Sequence, residues 1–285
     1  MPHPSAPPTI PGFAVVRRVS RAGDPVDVWE GRATGGATVA IKTLDADRGV
    51  PYVEHRFWNE AAVLGRVGGR HHVIELIARV ASPAALVLEW AMGGTLRDRI
   101  HPGGFSHPAN PLDLRTVLGL GIDLVEALAW IHGQGVFHRD LKPSNVLLDA
   151  GGRALLADFG IAASGVPPRS LPEGWEDDEV GTIGYAAPEL LAQADTANSA
   201  VDLYGLGATL YEALTGRLAF DLGPDETDAG LRTRISGGER AIPIRLRGWR
   251  GPAAVSEVID ALLEPNPTAR PGLDLVAGRL TSLAG

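Results

Sequence analysis

The sequence predicts an α+β protein in two lobes: a small β-rich first lobe with one prominent helix, and a larger, mostly helical second lobe. Three observations carry this. The first third alternates short β-branched runs with Gly and Pro breaks. The remainder carries apolar stripes at spacings of three and four residues. The length, 285 residues, suits two units of roughly 150 residues. Strands first and helices after is the pattern of a segregated α+β architecture.

Each element has its own signal. Residues 1–11 carry several prolines and no periodicity, which predicts a mobile tail. The first lobe is placed at 12–90 and the second at 91–285. Runs at 15–16, 26–29 and 38–41 read as strands, with Gly35-Gly36 turning into the third. Phe57, Ala61, Leu64 and Val67 fall on one face of a helix over 54–67, which Gly68-Gly69 ends. Two further strands are expected at 74–80 and 85–90, and Gly93-Gly94 marks a break. Beyond it, Leu114, Val117, Gly121, Leu124, Leu128 and Ile131 form one long stripe. Helices over 201–215 and 255–263 follow, and no internal repeat occurs.

Composition removes several function classes. Hydrophobic residues make up 45% and charged residues 21%, enough for a sizeable core. Lys and Arg number 26 against 34 Asp and Glu, a net charge of -8. That argues against a nucleic-acid partner, whose phosphates need a basic surface. The absence of cysteine excludes disulfides, thiolate nucleophiles and cysteine-held metals. The first residues lack the basic and apolar regions of a signal peptide. The longest apolar run, 117–131, is interrupted by Asp123 and Glu126, short of the roughly 18 residues of a spanning helix. A cytoplasmic protein without a membrane partner is expected.

The chemistry lies in short motifs in a fixed order. Val39-Ala40-Ile41-Lys42 sits on an expected strand and Glu60 on the next helix. His138-Arg139-Asp140-Leu141-Lys142-Pro143-Ser144-Asn145 follows the long helix. Asp158-Phe159-Gly160 and then Ala187-Pro188-Glu189 complete the series. This order resembles the protein kinase superfamily, in particular its bacterial-type Ser/Thr kinases, over residues 13–283. The resemblance implies the two-lobed protein kinase fold, with ATP and Mg²⁺ (or Mn²⁺) bound in the cleft. Phosphoryl transfer asks for positioning and charge neutralisation more than for covalent chemistry. Lys42 would neutralise α- and β-phosphate oxygens, held by Glu60. Asp158 and Asn145 offer oxygen ligands to a hard cation. Asp140 would orient the acceptor hydroxyl and take its proton, and Lys142 would reach the γ-phosphate. By the same resemblance Thr182 bonds Asp140 and Lys142. Leu88 would be the gatekeeper, the backbones of Glu89 and Ala91 would meet the adenine edge, and Val28, Ala40 and Leu147 would sandwich the ring. Glu189 and Arg270 resemble a buried ion pair, Asp202 a brace for the catalytic loop, and Leu64, His138 and Phe159 members of a hydrophobic spine. The implied partner is a protein substrate with Ser or Thr, and homodimerisation through the first lobes is a further implication.

Two departures matter. With Val28 as the valine of the phosphate-loop pattern, the three glycine positions hold Arg21, Gly23 and Val26; a one-residue insertion would shift this register, and in either register at most one glycine is kept. Glycine there lets backbone N–H groups approach phosphate, and Pro25 removes one donor. A pseudokinase, acting as a nucleotide-binding or interaction module, therefore stands as the alternative. The long segment ending in Ala187-Pro188-Glu189, with Thr182 and Tyr185, argues against a small-molecule phosphotransferase, and Lys142 resembles the Ser/Thr rather than the tyrosine kinases. In the activation segment, 161–187, the acidic run Glu176-Asp177-Asp178-Glu179 stands where relatives carry phosphorylated threonines. Either it pairs with Arg139 in place of a phosphate, so that activity needs no phosphorylation, or it is a solvated acidic loop. A late cluster, Arg240, Arg245, Arg247 and Arg250 around Trp249, is either a solvated loop or a patch for an acidic partner. His71, His72 and His132 lack the spacing of a zinc site.

Overall fold

A computed structural model describes residues 7–20, 26–44, 51–104, 107–164, 183–192, 198–223 and 226–285. The expectations placed on Arg21, Gly23, Pro25, Glu176, Asp177, Asp178, Glu179 and Thr182 lie outside these residues.

Strands β1 (Phe13–Arg18), β2 (Val26–Ala33), β3 (Thr38–Leu44), β4 (Leu76–Val80) and β5 (Ala85–Glu89) form one sheet in the order β1-β2-β3-β5-β4. All neighbours are antiparallel. The turn into β3 uses Gly36 at φ +86°, where its N–H donates to Ala33 O at 2.8 Å. Such a positive φ costs glycine nothing. Register decides what each face offers. Val28 pairs with Lys42, Lys42 with Leu86, and Ala40 with Leu88, so these side chains share one face. Trp29, Val39, Ile41 and Val87 line the other face and close a separate core. A slip of one residue would send Lys42 to the wrong side.

Helix α1 (Pro51–Val67) lies on the Lys42 face, with Phe57 and Ala61 packed on Leu86. Ile10 is only 3% exposed and packs into the outer core, so the unstructured tail expected over 1–11 does not extend to it. The strand expected from 74 begins at Leu76 instead. Ile74 N–H donates to Leu156 O at 3.0 Å and Leu156 N–H to His72 O at 2.7 Å. The residues before β4 are thus spent on tying the two lobes together.

The second lobe runs α2 (Leu96–Ile100), α3 (Leu114–Gly133), β6 (Val136–Phe137), β7 (Val146–Leu148), β8 (Ala154–Leu156), β9 (Ala163–Ser164), α4 (Pro188–Leu191), α5 (Ser199–Thr215), α6 (Asp228–Ser236), α7 (Ala253–Leu262) and α8 (Leu273–Ala284). Helix α3 starts where the Asp113 side chain accepts from Thr116 N–H, and α5 where Asn198 accepts from Ala200 N–H. Helix α5 ends at Gly216, in the left-handed region at φ +67°. Leu124, Leu128 and Ile131 of α3 meet Tyr204, Leu206 and Leu210 of α5 in a core that continues to Leu64 and Leu88 of the first lobe. No described helix is long and apolar enough to cross a membrane.

Three of the late arginines are bonded within the second lobe. Arg247 donates to Asp221 Oδ1 at 2.5 Å, Tyr211 OH at 3.0 Å and Leu218 O at 3.1 Å. Arg240 pairs with Glu264 at 2.6 Å, and Arg245 donates to Ser256 Oγ at 3.0 Å. These bonds fasten the loop to the second lobe.

Candidate active site

Lys42 on β3 and Glu60 on α1 meet across the cleft. Lys42 Nζ donates to Glu60 Oε1 at 2.7 Å and Oε2 at 2.9 Å. Burial works against the ammonium, but the Glu60 and Asp158 carboxylates outweigh it and hold the Lys42 pKa above the ordinary lysine value. Lys42, Glu60 and Asp158 line one cleft of about 300 Å³, together with Val26, Val28 and Arg56. Burial also acts against the Asp158 carboxylate, yet Lys42, Arg56 and Lys142 prevail and keep it well below the usual carboxylate range. Asp158 is therefore an anion at any physiological pH.

The catalytic-loop residues are held from below. Asp202 of α5, 1% exposed, accepts from Arg139 N–H at 2.6 Å, from His138 N–H at 2.9 Å and from His132 Nε2 at 2.7 Å. Arg139 sits at φ +68°, a strained choice for a side-chain-bearing residue, and the Asp202 bonds offset that strain. His138 Nε2 donates to Ala157 O at 2.9 Å, which leaves Nδ1 to accept from Asp140 N–H at 3.3 Å. Those two bonds require the neutral Nε2–H tautomer. The His138 ring meets Phe159 edge-on at 4.8 Å, and Leu64 shares the Phe159 core.

Burial pushes the Asp202 carboxyl up, but the hydrogen bonds from His132 and from the Arg139 N–H hold it below its ordinary value. A carboxyl held low by folding contributes stability above its unfolded pKa, and that contribution is lost as pH falls through the folded value. Asp202→Asn is therefore expected to destabilise fully at neutral pH. The gap to wild type should shrink below pH of about 4. Denaturation midpoints across pH check this, and a gap constant with pH would sink it.

Asn145 completes the constellation. Its Nδ2 donates to the Asp140 backbone O and to Asp140 Oδ2, both at 2.8 Å. Lys142 Nζ stands 3.0 Å from Asp140 Oδ1. The Ala157 N–H donates to Asn145 O at 2.9 Å, which sets Asp158 beside the Asn145 loop. Helix α5 approaches this loop very closely. A Cβ on Gly205 would lie 2.8 Å from Leu141 O, a backbone atom that cannot swing aside. Gly205→Ala is expected to displace the loop and lower the melting temperature, and an unchanged temperature would refute the contact.

Leu88 is 3% exposed opposite Ala40, and Ala40 and Leu147 are half-buried against the same core. Val28 lines the cleft with Lys42. The Glu89 N–H donates to Glu75 O at 3.1 Å, while the Glu89 carboxylate accepts from Glu75 N–H at 2.9 Å. Ala91, the residue after Trp90, is half-buried.

Several neighbours escaped the reading of the sequence. His132 braces Asp202. Glu212, 1% exposed, accepts from His101 Nε2 at 3.0 Å and from the Tyr185 hydroxyl. Arg56 and Asn59 lie four and one residues before Glu60. Helical spacing from Glu60 was the available signal for Arg56. The paired histidines have ordinary partners: His71 Nδ1 bonds Glu126 at 3.0 Å, and His72 Nδ1 donates to Ala154 O at 3.1 Å.

Comparison with known proteins follows the geometry. The chain matches the family model of the protein kinase domain over residues 22–278, and it belongs to that family. It is 34% identical over 241 residues to CBL-interacting protein kinase 21 of Oryza sativa subsp. japonica, covering 84% of this chain and 43% of that protein. It is 36% identical over 206 residues to CBL-interacting serine/threonine-protein kinase 1 of Arabidopsis thaliana, covering 70% and 42%. With the serine/threonine-protein kinase PknK of Mycobacterium tuberculosis the identity is 32% over 267 residues, covering 91% and 22%. The chain thus spans less than half of each of these relatives.

Proposed function

We propose that the chain is an ATP-dependent protein kinase that phosphorylates Ser and Thr hydroxyls of proteins. The carrying observation is one cleft that holds an ion-paired lysine and an ionised aspartate, with the Asp140, Lys142 and Asn145 cluster beside Asp158. In this reading Lys42 binds α- and β-phosphate oxygens, and Glu60 keeps its ammonium in place. Asp140 accepts the proton as the acceptor oxygen attacks the γ-phosphorus and the bond to the departing ADP oxygen breaks. Lys142 follows the moving phosphoryl charge, and Thr182 steadies Asp140 and Lys142.

The residues fit a divalent cation. Asp158 is an anion, and the Asn145 bonds to Asp140 engage only its Nδ2, while its Oδ1 accepts one long bond from Ser144 Oγ at 3.4 Å and keeps acceptor capacity. Mg²⁺ or Mn²⁺, when held by Asp158 and Asn145, would supply neutralisation of phosphate charge. Val28, Ala40, Leu88 and Leu147 would contact the adenine ring. With the Glu89 N–H committed to Glu75, pairing with the adenine edge falls to the Glu89 carbonyl and the Ala91 backbone. Gly23 would contribute its N–H to the phosphates. The acidic run at 176–179 belongs to the same proposal, as a fixed negative charge for Arg139, whose buried Nε has no hydrogen-bond partner among the described residues. A cytoplasmic location belongs to the same proposal, and pairing of two copies through their first lobes rests on the family resemblance.

Phosphatase-treated protein incubated with radiolabelled ATP, Mg²⁺ and a generic basic protein tests the reading. Label released as phosphoserine or phosphothreonine is the expected result. A silent reaction in which nucleotide still raises the melting temperature would hand the chain to the pseudokinase reading.

A further inference from the structure

Asn59 is the residue before Glu60, and its side chain turns away from Lys42 toward the backbone after Asp158. Its Nδ2 donates to Phe159 O at 3.2 Å, Gly160 O at 3.1 Å and Ala162 O at 3.0 Å. These carbonyls converge because the chain turns there: Ala162 N–H donates to Phe159 O at 3.1 Å. The turn begins from Asp158 at φ +62°, a strained conformation for a non-glycine residue. Carbonyl dipoles pointed at one another repel unless a donor sits among them. An amide has two hydrogens for such a position, and sharing one of them serves three acceptors.

We propose that Asn59 is a positioning residue that fastens the Asp158 turn to the same helix that holds Glu60 against Lys42. The cation-binding carboxylate and the phosphate-binding lysine are thereby set by one rigid element. The C-terminal end of α1 is already tied to the second lobe, where Trp130 Nε1 donates to Val67 O at 2.9 Å and Arg66 Nη2 donates to Gln134 O at 3.0 Å. Asn59 supplies the corresponding tie beside the chemistry. This inference rests on the phosphoryl-transfer reading and names a residue that the motif pattern does not include.

The test compares the full chain with Asn59→Leu, which keeps the volume and removes the donor, and Asn59→Asp, which sets a carboxylate against three carbonyl oxygens. For Asn59→Leu, kcat is expected to fall about ten- to hundredfold, the cost of misplacing a reacting group by about an ångström. The KM for ATP should move less than about threefold, because the adenine wall and the Lys42–Glu60 pair are untouched. Amide hydrogen exchange over 160–164 should accelerate while exchange in α3 and α5 stays unchanged. Asn59→Asp should be the more damaging variant. The proposal is overturned by a kcat within about twofold of wild type, a change too small for a lost positioning contact. It is equally overturned if kcat falls only together with melting temperature and exchange protection throughout the chain. If wild type itself transfers no phosphate, the kinase reading fails. The exchange over 160–164 still decides Asn59, with unchanged rates refuting the tie.

Discussion

Asp140→Asn is expected to lower kcat about a thousandfold, in the middle of the range for loss of a general base, with little change in fold. The carboxylate is 8% exposed and both of its oxygens are engaged, Oδ1 by Lys142 at 3.0 Å and Oδ2 by Asn145 at 2.8 Å. An amide has the same shape but only one acceptor oxygen. Whichever way it turns, its NH₂ faces the Lys142 ammonium or the Asn145 amide, donor against donor. The variant thus loses the proton acceptor and misaligns the group that should follow the γ-phosphate. ATP binding should survive, since Lys42, Glu60 and the adenine wall lie elsewhere. Steady-state kinetics with a peptide substrate and ATP-induced stabilisation separate the two effects. A variant retaining a tenth or more of wild-type kcat, well above the residue expected after loss of a general base, would remove Asp140 from its assigned role.

Arg270→Met is expected to cost about 3–5 kcal/mol, the penalty for leaving one member of a buried ion pair alone. Arg270 holds Glu189 through two parallel bonds, of 2.5 and 2.8 Å, and its side chain is fully shielded. Its remaining donors serve Ala200 O at 2.7 Å, Glu264 O at 2.8 Å and Pro265 O at 3.1 Å. One guanidinium thus fastens α4, the start of α5 and the loop after α7. Removing it strands the Glu189 carboxylate and three carbonyls together. For a chain of this size the melting temperature should fall by roughly ten degrees. Adding Glu189→Leu should recover much of the loss, because two apolar groups need no partner. A double variant less stable than Arg270→Met alone would show that the carboxylate has another use.

Much of the fold was legible because its signals are local. The stripes of α3 and α5 repeat at helical spacing, and the strands at 26–29 and 38–41 lie within β2 and β3. The misreadings came where tertiary contact overrides local texture. Ile74 has strand chemistry, but its N–H goes to Leu156 in the other lobe. Ile10 follows a proline-rich stretch, yet the open end of the outer core takes it in. For the late arginines, charge left a solvated loop and a basic patch both open, and only the fold shows Arg240 and Arg247 bonded to Glu264, Asp221 and Tyr211 from elsewhere in the chain.

The site divides in the same way. Residue type and order were enough to single out Lys42, Glu60, Asp140, Lys142, Asn145 and Asp158, because each motif is contiguous and its spacing is preserved in one dimension. Sequence alone also determined that no cysteine chemistry was available. The family resemblance implied Glu60 for Lys42, Arg270 for Glu189 and Asp202 for the catalytic loop, but only the tertiary structure decided which atoms bond and added His132 and Asn59. Lys42 and Glu60 are 18 residues apart, His138 and Asp202 64, Glu189 and Arg270 81, and Asn59 and Phe159 100. Nothing in local spacing encodes such pairings. They follow from sheet register, which puts Lys42 on the cleft face, and from the packing of α1 and α5, which brings Asn59 to the Asp158 turn and Asp202 beneath the catalytic loop.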